Sequence, residues 1–175
     1  GRYLVSGGWD KTVKIWLVQD RSMVKTLKGH KERIDAVSFS PDGRFIASGS
    51  YDKTVKIWRV GAGTLLRTLK GHKGEVLSVS FSPDGKYIAS GSWGKKVRIW
   101  QVSNGFLLKT LEGHEGVVKS VAFSSDGKYL ASGSWDRTIK IWSTTDWSLI
   151  KTIKGHKGLI ESLAFSPDDK FIASG

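Results

Sequence analysis

The sequence predicts an all-β protein in which one four-stranded antiparallel unit is repeated four times along the chain. The first observation is a period of 42 residues without insertion or deletion: a Gly-His pair begins at Gly29, Gly71, Gly113 and Gly155. An Ile-Trp pair keeps the same spacing from position 15 onward. The second observation is that no segment shows a helical period, whereas short runs alternate between apolar and polar residues. A fixed period of this length indicates a repeat architecture.

Each element of one unit is predicted from its own residues. Period-two alternation and β-branched residues predict strands over 34–40, 44–50, 54–60 and 65–69. Pro41-Asp42-Gly43 predicts a tight turn, because proline presets φ and glycine accepts a positive φ. Gly61-Ala62-Gly63 predicts the next hairpin for the same reason. Such a unit has apolar residues on both faces and cannot bury them alone, so the copies are expected to stack on one another.

The repeat resembles the WD40 family in its period, its Gly-His pair and the Trp near the end of its third strand. The resemblance covers essentially the whole chain and implies a β-propeller, in which four-stranded blades stack around an axis. The Asp that follows this Trp in the family is replaced by Leu17, Arg59, Gln101 and Ser143. We expect strands two to four of a blade at 1–28, whole blades at 29–70, 71–112 and 113–154, and strands one and two at 155–175.

The two ends of the chain both contain a second strand, because residues 3–7 align with residues 171–175. If the ends of one chain meet, the ring has four blades; if they meet the ends of a second copy, it has eight. Bulky inner strands, such as the one containing Val37 and Phe39, would need sharper wedging in a four-bladed ring, and the resembling family usually forms larger rings. We therefore expect a C2 homodimer that closes an eight-bladed ring and removes unpaired edges.

A second interpretation stays open, in which the chain is a piece of a longer repeat protein. The sequence starts at Gly1, within a repeat and without Met, so we expect it to have been excised or processed. Of the two copies of the second strand, we expect the N-terminal one to be used in the ring. The reason is that Asp169 replaces the turn glycine that precedes the C-terminal copy.

The WD40 resemblance implies a structural tetrad, a hydrogen-bonded chain of His, Ser, Asp and Trp, in each blade. The matching residues are His30, Ser48, Asp52 and Trp58; His72, Ser90 and Trp100; His114, Ser132, Asp136 and Trp142; and His156, with Ser174 or Ser6, Asp10 and Trp16. The second set has Gly94 where the Asp is expected, so His72 loses its acceptor and this turn is predicted to be the loosest.

Asp, His and Ser in one set could be mistaken for a hydrolase triad, whose logic is an oriented base beside a nucleophile. The repetition of the set every 42 residues, ending each time on an indole N–H, argues for a structural role instead. All four histidines belong to these sets, and the chain has no cysteine for a thiolate site. We therefore expect no catalysis, no metal and no cofactor.

The candidate partner-binding surface consists of columns that vary within an otherwise uniform repeat, since loops of propellers carry function. By the resemblance, these columns open onto the top face around the central channel. The residues are the aromatics Trp9, Tyr51, Trp93 and Trp135, with Arg33, Asp35, Glu75, Leu77, Lys119 and Glu161. Repeated aromatics are typical of binding hot spots, although repeated packing residues would give the same pattern.

The formal net charge is +12, from 28 Lys and Arg against 16 Asp and Glu. Many lysines repeat at fixed columns, which favours a solvated rim over a basic partner preference. The mixed signs of the candidate face argue against nucleic acid, which requires a continuous basic face. No apolar run approaches the roughly 20 residues of a membrane helix, and no secretion signal is evident, so we expect a cytoplasmic protein without membrane contact.

Two functions from different classes follow. The first is a protein-interaction scaffold that binds a protein or peptide on its top face. The second is a self-assembling repeat module, either a natural fragment or an engineered half-propeller, whose only partner is its own second copy. Polyanion binding through the lysine-rich rim is a third, less favoured hypothesis, and it would depend steeply on salt concentration.

Overall fold

The computed structural model describes residues 2–175, so Gly1 of the expected strand group 1–28 lies outside the described part. The strands form five antiparallel sheets, which we number 1 to 5 in chain order. Sheet 1 contains β1 (Tyr3–Gly7), β2 (Thr12–Leu17) and β3 (Met23–Lys28). Sheet 5 contains β16 (Leu163–Phe165) and β17 (Ile172–Ser174). Within residues 2–175, the structure has no helix whose length and apolar character would let it cross a membrane.

Sheets 2, 3 and 4 each have four strands that follow one another in space as they do in the chain. Sheet 2 contains β4 (Ile34–Phe39), β5 (Phe45–Ser50), β6 (Thr54–Arg59) and β7 (Thr64–Lys70). Sheet 3 contains β8 (Val76–Phe81), β9 (Tyr87–Ser92), β10 (Val97–Gln101) and β11 (Leu107–Leu111). Sheet 4 contains β12 (Val118–Phe123), β13 (Tyr129–Ser134), β14 (Thr138–Ser143) and β15 (Leu149–Lys154). The prediction of an all-β fold made of four-stranded antiparallel sheets is confirmed.

Neighbouring sheets pack face to face, and a tryptophan from the third strand lies in each of the first three interfaces. Trp58 of β6 packs with Val13, Ile15 and Leu27 of sheet 1 and is 1% exposed. Trp100 and Trp142 lie at the next two interfaces. Because a buried tryptophan removes on the order of 200 Å² from water, these side chains contribute much of the packing between sheets. Four-stranded sheets stacked in this way form the architecture of a β-propeller.

The first strands of the sheets lie side by side and are joined by hydrogen bonds that the serines of the repeat provide. Ser78 Oγ of β8 accepts from the Val121 N–H of β12 at 3.1 Å, and Ser120 Oγ accepts from the Leu163 N–H at 3.2 Å. Each first strand of sheets 2 to 4 also carries a β-bulge, at Asp35, Leu77 and Lys119. A bulge changes the direction of the side chain of the extra residue. These three residues, which differ between the repeats, therefore occupy an irregular position of the strand.

The turn before the C-terminal second strand forms without a glycine. Asp169 has a positive φ of 58°, as Gly43 and Gly85 have positive φ values of 68° and 70° at the same place, and its N–H donates to the Ser166 carbonyl at 2.9 Å. Its carboxylate also accepts from the N–H groups of Ser125 and Asp126, each at 2.8 Å, and so joins sheet 5 to sheet 4. The substitution therefore does not prevent the hairpin, and second strands are present at both ends as β1 and β17.

The stack of sheets has an uncovered face at each end. On sheet 1, Leu4 is 53% exposed, and on sheet 5, Ala173 is also exposed. Each hydrophobic cluster of residues 2–175 joins sheets that follow one another in the chain. No hydrogen bond within the described chain connects sheet 1 to sheet 5. The structure thus presents two unpaired sheet faces.

Candidate functional site

The tetrad of sheet 2 is a continuous chain of hydrogen bonds from the loop before β4 to β6. The indole N–H of Trp58 donates to Ser48 Oγ at 2.8 Å. Ser48 Oγ lies 2.7 Å from Nε2 of His30, and Nδ1 of His30 lies 2.7 Å from the Asp52 carboxylate. Because Ser48 accepts from the indole, its hydroxyl hydrogen is free to donate to Nε2, which leaves Nδ1–H to donate to Asp52.

Burial and charge keep this tetrad in one protonation state. Burial lowers the pKa of His30, although the Asp52 carboxylate acts in the opposite direction. Burial acts to raise the pKa of Asp52, but hydrogen bonds from Thr54, Lys31 and His30 outweigh it and hold that pKa below its usual value. At neutral pH the tetrad therefore consists of a neutral imidazole and a carboxylate.

The tetrad of sheet 4 repeats this geometry. His114 lies 2.7 Å from the Asp136 carboxylate through Nδ1 and 2.8 Å from Ser132 Oγ through Nε2. The Trp142 indole donates to the same Oγ at 2.9 Å. Hydrogen bonds from Thr138 and His114 overcome the effect of burial and lower the pKa of Asp136 to about 2. Both complete tetrads thus have a partly buried carboxylate that accepts hydrogen bonds from imidazole and from the backbone.

The chemistry open to these tetrads is limited by access. Ser48, Ser90 and Ser132 are all 0% exposed, and each hydroxyl oxygen already accepts from an indole. A nucleophile has to reach the atom that it attacks, and these hydroxyl oxygens are not accessible to solvent or to a substrate. The arrangement therefore fixes the loop before each sheet to the second and third strands of that sheet.

The set in sheet 3 lacks its acid. Trp100 donates to Ser90 Oγ at 2.8 Å, and Ser90 lies 2.7 Å from Nε2 of His72, as in the complete tetrads. Gly94 has no side chain, so Nδ1 of His72 has no acceptor within the described chain. Burial, together with the charge of nearby Arg98, lowers the pKa of His72 to about 3.

The fourth set is split between the two ends of the stack. At one end, Nε2 of His156 lies 2.7 Å from Ser174 Oγ. At the other end, the Trp16 indole donates to Ser6 Oγ at 2.8 Å, and the Asp10 carboxylate accepts from Thr12. The structure brings these residues together only as two halves, and His156 and Asp10 are exposed.

The four repeated aromatics, which we call the aromatic rim, form two groups. Trp93 and Trp135 lie edge to face with ring centroids 5.1 Å apart, and the Trp135 indole donates to Glu161 at 2.7 Å. The guanidinium of Arg33 lies 4.5 Å from the centroid of Trp9 and 3.6 Å from that of Tyr51.

Exposure distinguishes the members of the rim and the residues beside it. Trp9 is 78% and Trp93 is 42% exposed, whereas Tyr51 and Trp135 are partly buried. Each group therefore presents at least one accessible aromatic face.

The charged candidates lie close to the rim, but one apolar candidate is withdrawn from solvent. Asp35 pairs with Arg33 at 3.4 Å, and Lys119 approaches Glu161 at 4.0 Å. Glu75 contributes its carbonyl, which accepts from the Trp93 N–H at 2.9 Å. Leu77 is only 5% exposed, so its place on the partner-binding face was wrongly predicted. The same position holds a charged residue in the other repeats. An apolar side chain such as Leu77 stabilises the folded chain when it is buried at this bulge, because it is removed from water.

A family model described as "WD domain, G-beta repeat" matches residues 1–16, 21–59, 63–101, 105–143 and 147–175. The chain belongs to the WD40 repeat family. The resemblance inferred from the Gly-His and Ile-Trp pairs is thereby confirmed. Each complete WD40 match joins the fourth strand of one sheet to the first three strands of the next, as 21–59 does from β3 to β6. Each sequence repeat therefore contributes strands to two consecutive sheets.

Three relatives are similar to this chain over about the length of one repeat each. Coatomer subunit beta'-1 of Arabidopsis thaliana is 48% identical over 40 residues, 23% of this chain and 4% of that protein. Nuclear distribution protein PAC1 of Coprinopsis cinerea is 44% identical over 43 residues, 25% of this chain and 10% of that protein. Small ribosomal subunit protein RACK1y of Oryza sativa subsp. japonica is 42% identical over 40 residues, 23% and 12% of the two chains. The matches span a small part of each relative's length.

Two residues outside the predicted site also shape the WD40 sheets. Trp147 replaces the glycine found at Gly63 and Gly105, keeps a positive φ of 63°, and packs edge to face on Tyr87 with centroids 5.5 Å apart. Arg98 replaces the lysine of Lys56 and Lys140, whose ammonium groups donate to Thr68 and Thr152. In both cases the sequence shows a residue that differs from those at the same position in other repeats, and this difference could have identified it.

Proposed function

We propose that this chain is a non-catalytic scaffold that binds a protein or peptide partner through the aromatic rim. The observation that supports this most strongly is the Trp93–Trp135 pair. Its two rings are already held edge to face, and the hydrogen bond to Glu161 fixes the orientation of Trp135. Rigid, exposed tryptophans lose little conformational freedom on binding, and hot spots are enriched in them.

The charges around the rim favour a protein partner over a polyanion. Arg33 and Lys119 alternate with Asp35 and Glu161, and the pairs lie within 3.4 Å and 4.0 Å of each other. Because each cation has an anion beside it, the local field is weaker than the net charge of the chain suggests. A polyanion would instead require a continuous basic face.

A pull-down with Trp93→Ala and Trp135→Ala tests this function. A partner enriched by the wild-type chain should be lost with either variant, and the purified partner should show the same difference. Phe106→Ala is the matched control, because Phe106 is an aromatic side chain that is 70% exposed and lies outside the rim. Equal capture by all variants would contradict binding through the rim, provided that their unfolding temperatures agree.

Self-assembly is a second candidate function, and we propose it because the two ends of the stack complement each other. His156 and Ser174 lack an Asp and a Trp, whereas Asp10, Ser6 and Trp16 lack a His. Two copies that meet end to end would complete the fourth tetrad twice and close an eight-bladed ring.

The cavity beside β15 and β17 supports this assembly. It has a volume of about 490 Å³, and its lining includes Ile139, Ile153 and His156. At the first two interfaces a Trp ring lies near the loop glycine, as a Cβ on Gly29 would meet Trp58 at 3.1 Å. A Cβ on Gly155 would meet nothing within 4 Å. Trp16 of a second copy has the size and chemistry to fill this place.

Light scattering over a dilution series tests the assembly. We expect a mass of about 38.6 kDa, twice the 19.3 kDa of one chain. Trp16→Ala should shift the mass toward that of one chain, since Trp16 supplies the packing and the indole donor of the shared tetrad. Trp9→Ala, which removes a tryptophan from the rim instead, should leave the mass unchanged. A mass near 19.3 kDa at every concentration would contradict the assembly.

A further inference from the structure

The turn at Gly94 gathers several hydrogen-bond donors around a cavity. In sheet 2, the Asp52 carboxylate accepts from His30 Nδ1, from the Lys31 N–H and from the N–H and hydroxyl of Thr54. In sheet 4, Asp136 accepts from the corresponding four donors. In sheet 3 the corresponding residue is Gly94, which offers no carboxylate and lines a cavity of about 280 Å³.

The donors that would face a carboxylate in sheet 3 are still present. His72 lines the cavity and is 7% exposed; its Nε2 contacts Ser90, and its Nδ1 has no acceptor from residues 2–175. Ser90 Oγ accepts from Trp100 and lies close to both Nε2 of His72 and the Arg98 carbonyl. When the Ser90 hydroxyl donates to Nε2, Nδ1 carries the hydrogen, and an anion beside Nδ1 stabilises this tautomer. The N–H groups of Lys73 and Lys96, which correspond to the backbone donors in sheets 2 and 4, also have no acceptor in the described structure.

A partly buried cation, Arg98, adds charge to these donors. Arg98 lines the same cavity, and its Nε and Nη1 atoms are buried without a hydrogen-bond partner within the described chain. Buried guanidinium nitrogens without partners are costly, and a carboxylate or similar anion satisfies them with strong, charge-assisted hydrogen bonds. The carboxylate of Glu112, which also lines the cavity, pairs with Lys96 Nζ at 2.9 Å and forms no hydrogen bond with Arg98.

We propose that this cavity, which we call the Gly94 pocket, binds a small monocarboxylate such as formate or acetate. The anion takes the place of the aspartate side chain found in the neighbouring sheets. His72 Nδ1 and the backbone N–H groups of Lys73 and Lys96 donate to its oxygens, and Arg98 balances its charge. The binding completes the third tetrad without a change of sequence.

Geometry and protonation both suit this ligand. A Cβ on Gly94 would meet only Ser92 Oγ at 3.4 Å and the Gly74 N–H at 3.5 Å, so atoms can occupy this space without a clash. The pKa of His72, lowered to about 3 by burial and by the charge of Arg98, keeps the imidazole neutral at pH 7. Nδ1–H is thus a neutral donor, and the positive charge that attracts the anion comes from Arg98.

Thermal unfolding in sodium formate and in sodium chloride, at equal ionic strength and pH 7, tests the proposal. For the wild-type chain, formate should raise Tm above the value in chloride by roughly 2–4 °C when its concentration is about five times its Kd. The increase should saturate. Gly94→Asp places a carboxylate in the pocket, so this variant should show no difference between the two salts. Gly61→Asp adds the same charge at an open turn and should respond as the wild type does.

A second measurement reports on the pocket directly. During a formate titration followed by ¹⁵N NMR of the histidines, the Nδ1 signal of His72 should move, while those of His30 and His114 should stay. An equal salt response in the wild type and Gly94→Asp would overturn the proposal, because it would show a general effect of formate. An unchanged His72 signal at concentrations that raise Tm would overturn it as well.

Discussion

Replacing Gly94 with Asp should stabilise the chain, because it returns the missing acid to the third tetrad. Three donors can reach the new carboxylate, namely His72 Nδ1 and the N–H groups of Lys73 and Lys96. The fourth donor of the complete tetrads, the hydroxyl of Thr54 in sheet 2, has no counterpart because sheet 3 has Lys96 at that column. The gain in sheet 3 should therefore be smaller than the contribution of Asp52 or Asp136.

The magnitude follows from these three bonds. Each adds about 1 kcal/mol net to the free energy of unfolding, and ordering and desolvating the aspartate removes about 1 kcal/mol in total. The net gain is about 2 kcal/mol, which raises Tm by roughly 4–8 °C in a chain of this size. Gly94 has no positive φ, so the side chain adds no backbone strain.

Thermal unfolding followed by circular dichroism measures this gain, with Gly61→Asp as the control. A Cβ on Gly61 would meet nothing within 4 Å, and its φ is not positive, so the control changes charge and backbone freedom alone. We expect a Tm change close to zero for Gly61→Asp. A Gly94→Asp variant whose Tm equals that of the wild type or of the control would show that the missing carboxylate does not limit the stability of sheet 3.

Two further predictions follow from the tetrads. The pKa of His72 is lowered from 6.5 to about 3 in the folded chain, so the unfolded chain takes up a proton first and stability should fall as pH decreases from about 6.5 toward 3. Gly94→Asp gives His72 an anionic partner and should reduce that fall. Urea unfolding at several pH values measures the free energy of unfolding of both chains, and parallel pH profiles would contradict the claim that His72 causes the fall. Trp58→Phe removes the donor to Ser48 and part of the packing on sheet 1, so it should cost roughly 2–3 kcal/mol in urea unfolding. Trp9→Phe, at a residue that is 78% exposed, should cost almost nothing, and equal losses in the two variants would argue against the tetrad's role.

Much of the fold could be predicted because the same strand and turn pattern recurs in every repeat. The Ile-Trp pair, the Pro-Asp-Gly turn and the alternation between them predicted strands whose bounds agree with the structure to within one residue in sheet 2. Agreement between local turn chemistry and the apolar pattern at every copy is what makes such a sequence informative.

The parts that could not be predicted depend on single residues that depart from their column. Leu77 was assigned to the partner-binding face because its column holds Asp35 and Lys119, yet it is buried at the bulge. Asp169, which replaces the turn glycine, is the reason to expect that the N-terminal copy of the second strand is used, yet it takes the positive φ and accepts from two backbone N–H groups of the preceding sheet. In each case the outcome depends on neighbours from another sheet, which a repeat pattern does not specify.

The arrangement of the ends needed the structure as well. Alignment of residues 3–7 with residues 171–175 showed that a strand is duplicated, but not how the tetrad residues near it are divided. The structure places His156 with Ser174 and Trp16 with Ser6, on opposite ends of the stack. This division depends on residues far apart in the chain, and local sequence patterns do not specify it.

The most direct test of the scaffold function is the affinity of the captured partner for the purified chain and for a variant with both Trp93→Ala and Trp135→Ala. Loss of a tryptophan hot spot costs about 2 kcal/mol or more, so isothermal titration calorimetry should show a Kd at least about 30-fold higher for the double variant. Phe106→Ala should keep the wild-type Kd. If the double variant binds with the wild-type Kd while remaining folded, the aromatic rim is not the binding surface.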